Sequence, residues 1–210
     1  MLPSTRPTTF LARHRALWRP SRTRRAVAGL MVAAPALFVA REAVAATAFP
    51  IETAHTHVAF DVASVGFGKT HGSFSSFSGR LALDLEHPQR SGVDFTVAAA
   101  SVTTGSEQLD GYIRDTFFDV AHFPTMSFQS SAVRKLDART AEVTGALTLH
   151  GVTHPIVLRV AVEPAADGRK VLGFVATTTI HRSEFGMTTA LPLVSDDIAI
   201  QVSTEAESAE

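Results

Sequence analysis

Cysteine is absent from this chain of 210 residues. That excludes a disulfide framework, thiolate metal sites and a cysteine nucleophile. Tryptophan and tyrosine occur once each, as Trp18 and Tyr112. Outer-membrane barrels carry girdles of these two residues and polar interiors, so a membrane barrel is excluded as well. No HExxH, G-x-S-x-G, phosphate-loop or strand-linked G-x-G-x-x-G motif occurs. Zinc-protease, serine-hydrolase and nucleotide chemistry therefore have no sequence support. Acidic residues are missing from the first 25 positions, which hold seven arginines. From Ala46 onward the balance reverses, with 11 Lys and Arg against 19 Asp and Glu. A domain that acidic repels phosphate backbones, so no nucleic-acid partner is expected.

The arginine-rich start is followed by an uncharged run of 15 residues, Ala26–Ala40. Spanning a bilayer takes about 20 apolar residues, so this run is short for a permanent anchor. Small residues at Ala43-Val44-Ala45 complete the pattern of a secretory signal peptide. Residues 1–45 are thus read as a signal, with the mature protein periplasmic or secreted after cleavage near Ala45. An uncleaved anchor is the alternative, and Thr23-Arg24-Arg25 leaves both the general and the twin-arginine export routes open. Residues 46–205 form one domain, and 206–210 are expected to be a frayed acidic tail.

Apolar and polar residues alternate along most of the mature chain, which is the period of half-buried strands. His57–Ala63, Val93–Ala99, Met126–Gln129, Glu142–Leu149, Ile156–Val162 and Asp197–Ser203 show it cleanly. Gly72–Leu85 breaks step between Phe74 and Phe77, which predicts a bulge or bend near Ser75-Ser76. Leu172–Ile180 is apolar on both faces. About eight antiparallel strands result, closing as a barrel or stacking as a sandwich. Between the third and fourth strands, Thr104 or Ser106 can cap a short helix over Glu107–Arg114.

The mature chain holds twelve phenylalanines. Phenyl rings carry no hydrogen-bonding atoms, so a cavity lined by them offers area and shape only. Most apolar stripes are packed core, so composition alone favours a solid interior over a hollow one. His55 and His57, two apart on a strand, lack the further spaced ligands of a zinc site, and no metal or cofactor is expected. Carboxylate pairs such as Asp196-Asp197, and Asp115 with Asp119, read as solvated surface. Arg114 and Arg182 lie among apolar residues, where each can meet an anionic head group or pair with Asp110 or Glu184.

Five segments carry a resemblance. HVAFDVASVGFGKTHGSFSSFSGRLALD at His57–Asp84 and SVTTG at Ser101–Gly105 come first. FFDVAHFPTMSFQSS at Phe117–Ser131, VTGALTLHGVTHPIVLRV at Val143–Val160 and GFVATTTIHRSEFGM at Gly173–Met187 follow in order. Together they resemble the YceI-like family over nearly all of Phe49–Glu205. The resemblance implies an all-β, eight-stranded antiparallel lipocalin-like barrel with a helical insertion, holding a long isoprenoid or acyl chain in its lumen. It implies a lipid-binding rather than an enzymatic protein, with transient membrane contact and a homodimer both open. Combined with the alternation, it makes Phe60, Val62, Phe95, Val97, Phe128, Leu147, Leu149, Ile198 and Ile200 the expected lumen wall. Phe74, Phe77, Phe117, Phe118, Phe174 and Phe185 join them, the insertion at Gly105–Pro124 serves as rim or lid, and Tyr112 and Arg114 are candidates for the ligand's head.

Two departures bear on that head. Ser64 stands where the family often carries His, and Leu109-Asp110-Gly111-Tyr112-Ile113 where it often carries Arg-Asp-x-His-Leu. Both remove cationic or titratable groups. A quinone, an amide or a fatty acid therefore competes with an isoprenoid pyrophosphate as ligand. The rival is an isomerase or hydrolase using the same lumen, for which Asp110, Tyr112, Arg114 and His181 are the candidate polar groups.

Overall fold

The computed structural model describes residues 46–66, 68–84, 86–164 and 171–207. The signal read at 1–45, Phe67, Leu85, residues 165–170 and the last three residues of the expected tail lie outside the described residues. The strands are β1 (Thr47–Pro50), β2 (Thr56–Ser64), β3 (Gly68–Phe74), β4 (Phe77–Leu83), β5 (Gly92–Ala98) and β6 (Val102–Thr103). After the helix α1 (Glu107–Tyr112) come β7 (Thr125–Lys135), β8 (Thr140–Leu149), β9 (Val152–Pro164), β10 (Val171–His181) and β11 (Val194–Glu207). All eleven belong to one sheet, in the order β1-β4-β5-β7-β8-β9-β10-β11-β2-β3-β6. Every pairing is antiparallel. The sheet curls into a half-barrel over one apolar face.

Among the described residues eleven strands replace the expected eight, and the reason is local. The break in step at Ser75-Ser76 is real: it divides one long run into β3 and β4. Across from it, a 3-10 turn at Ala99–Ser101 divides β5 from β6. The two halves stay matched, with Phe77 facing Val97 and Phe74 facing Val102. Backbone bonds from Ser75 to Ser101 and from Ala98 to Ser76 bridge the double bend. A short extra strand, β1, lies along the free side of β4. His55, expected on a strand with His57, precedes β2, so the two do not share a strand face. Of the expected tail, residues 206 and 207 extend β11, paired with Leu172 and Val171.

The helical insertion stands between β6 and β7. Ser106 is its N-cap, accepting a hydrogen bond from Leu109 N at 3.5 Å. Thr104 instead donates its N–H and hydroxyl to Asp110, each at 2.7 Å. The Thr104 hydroxyl, above all, holds the Asp110 carboxyl below its ordinary pKa, against a burial effect that acts the other way. Beyond Tyr112 the chain widens into a π-helical turn, Ile113–Phe118, which ends at Asp119 in the left-handed region (φ 46°). The wider turn rotates Ile113 and Phe118 inward, where both are buried.

Candidate ligand cavity

The inner face of the curled sheet encloses a cavity of about 350 Å³. Its wall draws on most strands of the sheet: Val58 and Phe60 from β2, Phe74 from β3, Phe95 and Val97 from β5, Met126, Phe128 and Val133 from β7. Val143, Leu147 and Leu149 come from β8, Ile156, Leu158, Val160 and Val162 from β9. Phe174, Ala176, Thr178 and Ile180 come from β10, and Ile198, Ile200, Val202 and Thr204 from β11. These are the inward sets of a period-two pattern.

Why the centre is hollow, with so many phenylalanines, is answered by glycines. Phe60 lies directly across from Gly72, and Phe95 across from Gly79. Phe128 reaches diagonally to Gly145 on β8. A Cβ on Gly72 would overlap the Phe60 ring, one on Gly79 would come within 2.8 Å of Phe95 Cδ2, and one on Gly145 within 2.6 Å of Phe128 Cε2. Each ring therefore lies flat over a neighbouring strand, in the space that a side chain would otherwise fill. The phenyl faces become wall, and the axis stays open.

The two ends differ. At the helix end, Phe60 meets Phe74 at 5.6 Å between ring centroids, and Phe74 meets Phe118 edge-on at 5.8 Å. Phe118 and Met187 line the floor, with Phe185 fully buried in the same core cluster. At the opposite end the wall includes Asp84, Ser91, Lys135, Asp137, Arg139 and Thr140, from the end of β4, the start of β5 and the β7–β8 hairpin. The expected lid is thus the floor, and the polar mouth is on the other side.

Arg182 fixes that floor. It is 1% exposed, yet among the described residues it makes no carboxylate ion pair. Its Nε donates to Ser195 O at 2.8 Å, Nη2 to Val194 O at 3.0 Å, and Nη1 to Met187 O. Its guanidinium lies 5.4 Å from the Phe117 ring centroid. Burial lowers its pKa, and the nearby Asp196 charge opposes the shift. Asp196 in turn accepts the Ser183 N–H and hydroxyl, both at 2.8 Å, which lowers its own pKa. Arg182 is therefore a clamp on the Met187–Ser195 segment rather than a head-group binder.

Of the residues expected from alternation, Phe60, Phe74, Phe95, Val97, Phe118, Phe128, Leu147, Leu149, Phe174, Ile198 and Ile200 line the cavity. Val62, Phe77, Phe117 and Phe185 do not. Val62 is one inward step beyond Phe60, facing Ile198 and Thr70, and the void does not reach it. Phe77 packs beside Phe95 at 5.5 Å, next to the bend. Phe117 packs between Tyr112 and Arg182 on the insertion. Phe185 is core, stacked edge-on against His154 at 5.2 Å. Neither head-group candidate is in the wall: Tyr112 is 51% exposed, and Arg114 lies near Asp110 on the insertion. Asp110 and His181 are also outside it; His181 pairs with Asp197 at 2.8 Å on the sheet. No cluster of three metal-ligating side chains occurs among the described residues.

Residues 49–206 match the YceI-like domain. This chain belongs to that family. A UPF0312 protein from Pseudomonas savastanoi pv. phaseolicola is 34% identical over 140 residues, which cover 65% of this chain and 73% of that protein. The crystal structure of Burkholderia cenocepacia BcnA superposes with a TM-score of 0.69 at 23% identity, covering 74% of this chain and 99% of BcnA. A polyisoprenoid binding domain from Saccharophagus degradans, implicated in plant cell wall breakdown, gives 0.59 at 16% identity over 78% of this chain and 99% of that domain. At those identities the two structures establish the shared YceI fold.

Proposed function

We propose that this protein binds one long apolar chain in the cavity and stores or carries it, without catalysing a reaction. The observation that carries this reading is the apolar wall around about 350 Å³ of space. That volume is near the lower end of the roughly 300–1,000 Å³ typical of small-molecule sites, which suits a single tail. Each methylene moved from water into such a wall contributes about 0.8 kcal/mol, so a chain needs few polar contacts to stay. The polyisoprenoid binding domain from Saccharophagus degradans has the same fold and lends support. Polyisoprenoid, quinone-type and fatty acyl chains all meet the chemistry of the wall. The enzymatic alternative needs polar groups converging inside, and its four candidates, Asp110, Tyr112, Arg114 and His181, are outside the wall. The arginine-rich start supports action in the periplasm or outside the cell, reached by export.

Native mass spectrometry of the exported protein tests this. We expect an adduct that is released on denaturation and whose mass identifies the lipid. Phe128→Asp, which places a charge in the wall, should lose the adduct. A protein that carries no adduct and takes up no long-chain lipid would overturn the proposal.

A further inference from the structure

The cavity is apolar along its length and charged only at the β7–β8 end, so a ligand in it has a direction. Lys135 is the informative residue. The register of β7 against β8 shifts between Ser130 and Ala132. Past this bulge Val133 faces Val143 and Lys135 faces Ala141, and all four line the cavity. Arg134, between them, pairs with Glu142 outside the wall. A bulge inserts a residue and so reverses which side chains point inward. Here it puts Lys135 on the inward side, in the wall at the polar end. Arg139, in the adjoining hairpin, adds a guanidinium at the same rim.

Two carboxylates share this rim, and both are engaged by their own turns. Asp137 accepts the Arg139 and Thr140 N–H groups at 2.7 and 2.9 Å and the Thr140 hydroxyl at 2.6 Å. Asp84, with a side chain 9% exposed, accepts His87 N–H at 2.7 Å and lies 3.9 Å from Arg90. Among the described residues, no ion pair engages Lys135 or Arg139. We infer that Lys135 and Arg139 form a head-group site for a single-chain amphiphile with an anionic carboxylate or phosphate head, its tail pointing to Phe118. This rests on the lipid-binding reading and assigns the ligand's polarity within it.

The test compares cis-parinaric acid, a fluorescent fatty acid, with its uncharged methyl ester on the full-length protein. The acid should bind roughly tenfold more tightly than the ester, a preference that added salt reduces. In Lys135→Gln/Arg139→Gln that ratio should fall toward one. Lys135→Glu should make the acid the weaker ligand. Equal affinities for the wild type, or a preference that survives in both variants, would overturn the site while leaving the carrier reading intact. Binding of neither probe would overturn both. A phosphate monoester of a long-chain alcohol, run in parallel, tells whether the site prefers phosphate to carboxylate.

Discussion

Gly72→Ala tests how the hollow is maintained. The three atoms nearest the added methyl would all belong to the Phe60 ring, with Cε2 at 3.1 Å and two further ring carbons nearer. Carbon–carbon contacts settle at roughly 3.5–4.0 Å, so the ring must retreat by about 1 Å or more. It has somewhere to go, because its other face borders the cavity. In a filled core such overpacking costs typically 1–3 kcal/mol; with a void behind the ring, about 1 kcal/mol is expected. For a domain of this size that lowers the melting temperature by roughly 2–4 °C. The larger effect should be on ligand. The ring swings toward Phe74 near the floor, where a tail ends. Losing room for one or two methylenes costs about 0.8–1.6 kcal/mol, or roughly 4- to 15-fold in Kd. Affinities for saturated fatty acids of increasing length, with and without the substitution, measure this. The preferred length should shorten by one or two carbons, and Phe60→Leu in the same chain should restore it. An unchanged length preference, or one that the second substitution fails to restore, would refute the flat-ring account.

Other expectations follow from the floor and the turns. Arg182→Met strips three carbonyls of this donor, the buried one of Met187 and the part-buried ones of Val194 and Ser195, and should lower the unfolding free energy by about 2–4 kcal/mol in urea titrations. A loss under about 1 kcal/mol would mean that water replaces the clamp. Asp110, Asp137 and Asp196 have pKa values held below the ordinary value by hydroxyl and backbone donors. Their contribution is complete above the unfolded-chain pKa of about 3.9 and is lost as pH falls through the folded values. Melting temperatures should therefore drop below about pH 4, with a shallower acid limb in Asp110→Asn and Asp196→Asn. Equal acid limbs in wild type and variants would count against these bonds.

Alternation revealed which face of each strand is buried, because one-sided burial is written into every second residue. It could not reveal which inward residues reach the void: Val62 alternates in phase with Phe60 yet is not in the wall, whereas Ile198, paired with it, is. The break at Ser75-Ser76 was legible from Phe74 and Phe77; that it divides strands was not, since the matching turn at Ala99–Ser101 is a run of small residues without punctuation. The π-helical turn leaves no periodic trace, which misplaced Phe117. Lys135 was missed because the bulge at Ser130–Ala132 changes the phase beyond it, and nothing in SSAVRK marks the extra residue. Tyr112 and Arg114 read as head-group candidates from their place on the insertion, a local signal that says nothing about which end is open.

The bend at Ser75-Ser76 joins strands near opposite ends of the sheet order. On one side β6 holds β3 through only two residue pairs. A cask widens at a loose seam before its staves stretch. A thicker guest would be admitted most cheaply there, by parting β6 from β3, while the long pairings of β8 through β11 keep their register.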